Sequence, residues 1–149
     1  MNPRTAEIAA VAQVVGSVGM FGVIWMVQVV HYPLMRFVSG EQFARFETAH
    51  RMRISWVVGP LMAVEGVSVL AFLFAPPAGL PWWLPWAGAG AEAIAIGTTV
   101  FVSAPLHEKL NAHFDPATLN RLVATNWIRT IAWTCRAGLA IAMLVAVLR

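Results

Sequence analysis

Charge is what this sequence has least of. Asp, Glu, Lys and Arg make up 11% of its 149 residues, against roughly 25% in an ordinary soluble domain. Apolar residues make up 59%, and the mean hydropathy is +0.70. A bilayer, not water, is the natural solvent for such a chain. Cysteine is nearly absent: the single Cys135 excludes an internal disulfide and a cysteine-built metal cluster. Set in an apolar run, it reads as a small core residue. A nucleic-acid surface is missing too. The ten Lys and Arg give a formal charge of +3, but they punctuate apolar runs and do not form a patch, so no nucleic-acid partner is expected.

What the chain does have is long hydrophobic runs. The first, Ile8 to Val30, is too long for a signal-peptide core and lacks a small-residue cleavage pattern, so it is kept as a span. Roughly 24 residues at 1.5 Å each cross a ~30 Å hydrocarbon core. Four such spans are expected, at about 8–31, 54–75, 84–104 and 127–148. Asn2-Pro3 or Thr5 begins the first helix. Pro33 and Pro105 are expected to end spans one and three. Ser39 is the expected cap of the next helix, with Glu41 in its first turn, and Asp115-Pro116 opens the last one. Amphipathic segments fill about 40–53 and 107–126, with Arg45, Glu47 and Arg51 assigned to the solvated face of the former. Pro60 lies within span two, where a kink is expected. Pro76 to Pro81 forms a turn, and Trp82, Trp83 and Trp86 after it read as an interfacial belt.

The two halves share one grammar. Aligned on Pro33 and Pro105, and after a short gap, Phe43, Phe46, His50 and Arg53 fall on Leu119, Leu122, Asn126 and Arg129. The fold class that follows is all-α, a four-helix transmembrane bundle built from two related helical hairpins. Seven cations (Arg36, Arg45, Arg51, Arg53, Lys109, Arg121 and Arg129) lie in the two polar connections, and Arg4 and Arg149 lie on the other side. The positive-inside bias then makes those connections cytoplasmic and puts both termini outside, in a multi-pass protein of the inner (plasma) membrane. A homodimer would pair through Gly16/Gly19 or Gly138/Ala142, where small residues let helices approach.

The polar residues gather in two places. On span two, His50, Arg53, Val57, Leu61 and Glu65 are expected in one bundle-facing sector; on span four, Asn126, Arg129, Thr130, Trp133 and Arg136 do the same. Gln28, His31 and His107 reach the same level, which makes a polar chamber at the cytoplasmic end. Two chemistries suit it. His31, His50 and His107 could ligate Fe, Cu or Zn, although His107-Glu108 with His113 misses the HExxH spacing. Alternatively, His50, Arg53, Asn126 and Arg129 form a pocket for an anionic or polar substrate, the two arginines acting as forks. Deeper in the membrane, Glu65, Glu92 and Arg136 are charges that need partners. An Arg136–Glu salt bridge fixing helix packing is expected, with a proton relay as the other role.

His31-Tyr32-Pro33-Leu34, Pro105-Leu106-His107, Leu110 and Asn126-Trp127-Ile128-Arg129-Thr130 together resemble the small four-span membrane proteins of the anthrone oxygenase-like group. Where that group has a Pro-Leu-Asn-type segment, this chain has His107. The resemblance implies an oxygen-using or redox enzyme acting on an aromatic or lipophilic substrate, with Asn126, Trp127 and Arg129 matching the group's most recognisable motif. Beside it stands a non-enzymatic reading, a small transporter or membrane assembly protein that uses the buried Glu and Arg charges.

Overall fold

The computed structural model of the chain describes residues 1–38 and 40–149; the expected cap at Ser39 lies outside the described residues. Four helices carry the fold: α1 (Pro3–Phe37), α2 (Gly40–Phe74), α3 (Trp83–Ala112) and α4 (Pro116–Val147). Each is long and apolar enough to cross a membrane, and among the described residues there is no strand. The architecture is the expected all-α bundle of two hairpins.

The helix starts follow local chemistry. Asn2 caps α1, its side-chain oxygen accepting the Thr5 amide at 2.8 Å, with Pro3 in the first turn. Asp115 caps α4, accepting the amides of Ala117 and Thr118 at 3.1 and 2.9 Å and the Thr118 hydroxyl at 2.7 Å. Gly79 takes a positive φ of 80° in the turn between the hairpins, a conformation open to glycine at no steric cost. Trp82, Trp83 and Trp86 beside it are exposed, as a belt at the membrane interface requires.

Pro33 and Pro105 do not end their helices, contrary to expectation. Each is preceded by a π-helical turn, Val27–His31 in α1 and Thr99–Ser103 in α3. The Tyr32 amide donates to Val27 O and the Ala104 amide to Thr99 O, five residues back in each case. Proline has no N–H, and its ring clashes with the carbonyl four residues earlier in a regular helix. The wider turn accommodates both problems, so α1 runs on to Phe37 and α3 to Ala112. In both helices the proline stands two residues past the π turn, so the internal repeat extends to the backbone. The amphipathic segments are therefore not separate elements. Residues 40–53 are the first part of α2, which is unbroken through Pro60, and 107–126 is divided between the end of α3 and the start of α4.

Around the bundle, α1 packs on α2 and α4, and α3 packs on α4; α2 and the Trp83–Thr98 part of α3 are the most thinly packed neighbours. Close approach of α1 and α2 needs glycine. A Cβ at Gly16 would stand 2.9 Å from Glu65 Cβ and one at Gly19 2.9 Å from Leu61 Cδ2. Gly16/Gly19 is thus an internal seam and is removed as a dimer face, whereas Gly138 and Ala142 are exposed. Cys135 is exposed as well, not a core residue as expected, because its neighbour Arg136 takes the inward direction and the next residue along a helix points ~100° away.

The Gly16 contact predicts the outcome of two small substitutions. Gly16→Ala destabilises the bundle by about 1–3 kcal/mol through overpacking, whereas Gly22→Ala, with nothing within 4 Å of its added Cβ, leaves thermal unfolding in detergent unchanged or slightly raised. The cap at Asp115 predicts a pH dependence. Its hydrogen bonds from the Thr118 hydroxyl and amide, and from the Ala117 amide, hold the carboxyl below its ordinary value of 3.8. A depressed folded-state value contributes stability above the ordinary value and loses it as the pH falls through the folded one. Asp115→Ala should therefore lower the unfolding temperature at neutral pH, and its difference from wild type should shrink below about pH 4.

Candidate functional site

Two buried polar layers alternate with three apolar ones. At the 113–115 end, Tyr32, Met35, Phe43, Leu106, Leu110, Leu119 and Leu122 pack together; Met20, Ile24, Ala95, Ala132 and Trp133 fill the middle; Ala10, Phe72, Leu84 and Met143 close the other end. Polar side chains occupy the levels between them, where neither lipid nor apolar packing can satisfy them.

The deeper polar layer is centred on Arg136 of α4. Its side chain is fully buried and pairs with Glu65 of α2 at 2.9 Å and Glu92 of α3 at 3.8 Å, and it donates to Gln13 of α1 at 2.8 Å. One guanidinium thus touches all three other helices. Ser17 donates to Glu65 at 2.6 Å, and Gly88 gives the guanidinium room: a Cβ there would stand 3.2 Å from an Arg136 terminal nitrogen. The expected salt bridge is present, and it includes both glutamates.

The second polar layer lies between the apolar middle and the 113–115 end. His107 of α3 is the hub. Its Nδ1 bonds Glu47 of α2 at 2.5 Å, and its Nε2 bonds the Tyr32 hydroxyl of α1 at 2.9 Å. A carboxylate only accepts, and a neutral imidazole has one donor and one acceptor nitrogen. The partners therefore fix the tautomer: Nδ1–H donates to Glu47 and Nε2 accepts the Tyr32 O–H. Across the chamber, Asn126 donates to Gln28 at 2.7 Å and accepts from Arg129 at 3.0 Å, and the Arg129 guanidinium stands beside the Tyr32 phenol. A cavity of about 180 Å³ meets these groups, lined by Met20, Ile24, Val27, Tyr32, His50, Ile54, Val58, Thr99, Ser103, His107 and Arg129. Four buried polar atoms in this layer have no partner among the described residues: His31 Nε2, Glu47 Oε2, Ser103 Oγ and Arg129 Nε.

The two π turns serve this layer directly. Tyr32 follows the first, and Thr99 and Ser103 open and close the second; all three line the cavity. π turns inside α-helices are frequent at functional sites.

Of the residues anticipated, His50, His107, Asn126 and Arg129 do converge, with Gln28 and Thr130 buried beside them. Arg53 does not: it is exposed, at the rim of a separate recess of about 370 Å³ formed with His31, Phe46 and His50. The reason is the azimuth of α2. Glu47 and Glu65 are five turns apart and both fully buried, so they define the inward direction, from which Arg53 is turned by about 120°. Val57 is exposed for the same reason. Glu47, buried and bonded to His107, is the residue of this layer that sequence reading missed by assigning it to the solvated face with Arg45 and Arg51. Glu47 and His50 stand three apart, an E-x-x-H spacing that carries both to one helix face, and that signal was available.

The three histidines also meet, though not as a ligand set. His31 and His50 are face-stacked with centroids 4.2 Å apart at 25°, and His50 is 5.8 Å from His107. Stacked rings aim their in-plane lone pairs past one another, and both nitrogens of His107 are engaged. Among the described residues no group of three His, Cys, Asp or Glu side chains is placed to hold a metal ion.

No family model matches the chain, and the curated proteins and solved structures compared with it give no match. The site therefore stands on its own geometry.

The Arg136 centre predicts an ordered set of stabilities. Arg136→Met leaves two buried carboxylates without their countercharge and costs about 3–5 kcal/mol. Glu92→Gln, which removes the longer of the two ion pairs, costs distinctly less. Thermal unfolding of the purified variants in one detergent gives the order.

Proposed function

We propose that this chain is an integral membrane enzyme of oxidoreductase or oxygenase-like type, acting on a small lipophilic substrate in the 180 Å³ cavity. The observation that carries this reading is the Tyr32–His107–Glu47 chain of hydrogen bonds, two of whose members, Tyr32 and His107, line that cavity. Such a chain takes a proton from a substrate O–H or acidic C–H at the Tyr32 oxygen and passes the charge change along the imidazole to a buried carboxylate. Arg129, held by Asn126 and standing beside Tyr32, stabilises the negative charge that develops. His50 closes the cavity wall next to His107. Loss of the proton leaves an electron-rich phenolate or enolate, the form in which such molecules are most readily oxidised. The resemblance of the Asn126-Trp127-Ile128-Arg129-Thr130 segment to the anthrone oxygenase-like group supports an oxygen-using reaction. The distribution of cations supports a site at the cytoplasmic side of the plasma membrane with both termini outside.

A second reading draws on the Arg136 centre. Charges fully buried in a membrane-spanning bundle are the usual equipment of proton-coupled transport, and Glu65→Gln should abolish proton-coupled uptake if this chain is a transporter.

The enzyme reading is tested by oxygen consumption in proteoliposomes supplied with a panel of phenols and enolisable ketones. Wild-type protein should turn over at least one of them, and Tyr32→Phe should lower kcat by about 10²–10⁴-fold, the usual worth of a positioned proton-transfer group. Equal rates for wild type and Tyr32→Phe would remove the relay from the chemistry.

A further inference from the structure

The seam between α2 and α3 is held at two levels and open at a third. Near the 113–115 end it is closed by Glu47–His107 at 2.5 Å, Arg51–Glu108 at 2.7 Å and Thr48–Asn111 at 3.0 Å. Deep in the bundle, Glu65 and Glu92 are joined through Arg136. Between these closures run Ile54, Ser55 and Val58 on α2 and Thr99, Ser103 and Ala104 on α3, and all six line the cavity. Ser55 and Ala104 are exposed, so the cavity reaches the outside of the bundle along this stretch. Ser55 and Ala104 stand at the ends of the two apolar runs, one turn from Arg51 and His107, while Val58 and Thr99 lie one turn further into them, so the opening faces the boundary of the hydrocarbon and runs inward along it.

We infer that the substrate is a membrane-dissolved phenol or enol with a head the size of one ring and an apolar tail, admitted sideways from the bilayer through the α2–α3 seam. This rests on the Tyr32–His107–Glu47 reading and adds the substrate class and its path. Size sets the head: an apolar cavity of about 150 Å³ holds one benzene ring, and this one measures about 180 Å³. A fused three-ring body would project from it. Polarity sets the orientation. The oxygen sits at the end where Tyr32, His107 and Arg129 converge, and the unpartnered hydroxyl of Ser103 offers a further bond to it. Ile54, Val58 and Ile24 contact the apolar body, and the tail leaves between Ser55 and Thr99. The closures on either side of the opening keep its width constant, because separating α2 from α3 would break buried ion pairs at one end and a buried hydrogen-bonded carboxylate at the other.

The experiment uses the full chain in proteoliposomes with two probes, 4-propylphenol and a 4-alkylphenol with a long tail ending in a diazirine. Photolysis of the second should label peptides covering 51–62 and 96–104, with labelling competed by the unlabelled long-tailed phenol. Labelling confined to 108–115 would overturn lateral entry. Ser55→Trp and, separately, Ala104→Trp narrow the seam at its exposed mouth, and each should weaken binding of the long-tailed probe about tenfold or more with binding of 4-propylphenol held within about twofold. If both probes bind these variants as they bind wild type, yet lose affinity in Arg129→Ala, the lateral path is wrong and the enzyme reading stands. If neither probe binds wild-type protein, the enzyme reading falls together with the inference. The labelling pattern of the wild type needs no substitution, so a variant that fails to fold does not remove the test.

Discussion

A buried charge in a bundle surrounded by lipid has to find its partners within the protein, and Arg136 finds them on every other helix. Gln13 on α1, Glu65 on α2 and Glu92 on α3 all reach one guanidinium. Apolar packing between membrane helices is weakly directional because lipid tails compete for the same contacts. A polar knot of this kind specifies which helix faces which and at what depth. It fixes the direction of α2, and through that helix it fixes Glu47, five turns away on the same azimuth. The upper chamber therefore inherits its geometry from an ion cluster in a separate layer of the bundle.

The upper chamber is built on a different principle. Its groups are bonded in chains, with Tyr32 to His107 to Glu47 on one side and Gln28 to Asn126 to Arg129 on the other. Each chain joins residues that are far apart in sequence. Together they tie α1, α2, α3 and α4 around a small cavity while leaving several polar atoms unmatched. The Arg136 centre also leaves buried polar atoms without a hydrogen-bond partner, on Glu65, Glu92 and Arg136 itself; what sets the chamber apart is that Ser103 and Arg129, which carry two of its unmatched atoms, line a cavity where another molecule's atoms can complete the set.

Much of this was legible in the sequence. The length of the apolar runs, the caps at Asn2 and Asp115, the repeat around Pro33 and Pro105 and the inward face of α4 all follow from local chemistry or helical period. What the sequence concealed traces to two causes. A proline was read by its effect in a regular helix, which ends it, because the π turn that absorbs it is a backbone arrangement with no residue signature of its own. The face of α2 was drawn through His50 and Arg53, because a run with polar residues on several sides has more than one plausible stripe. The tertiary partner decided between them: His107 lies across from Glu47, and no periodicity contains that fact. The stacking of His31 on His50 is likewise a product of how α1 and α2 meet.

The paired π turns carry an implication for how this chain can vary. Each adds a residue to the helical ladder just before its proline, so every side chain beyond it is rotated by about 100° relative to an uninterrupted helix. Relaxation of Val27–His31 to a regular α-helical turn at unchanged length would lengthen α1 by only about 1.5 Å and leave its hydrophobic composition untouched. It would also swing Tyr32 off the cavity and leave His107 without its phenol. Insertion into the membrane would proceed as before, and the site would be dismantled by a backbone change that no hydropathy profile registers.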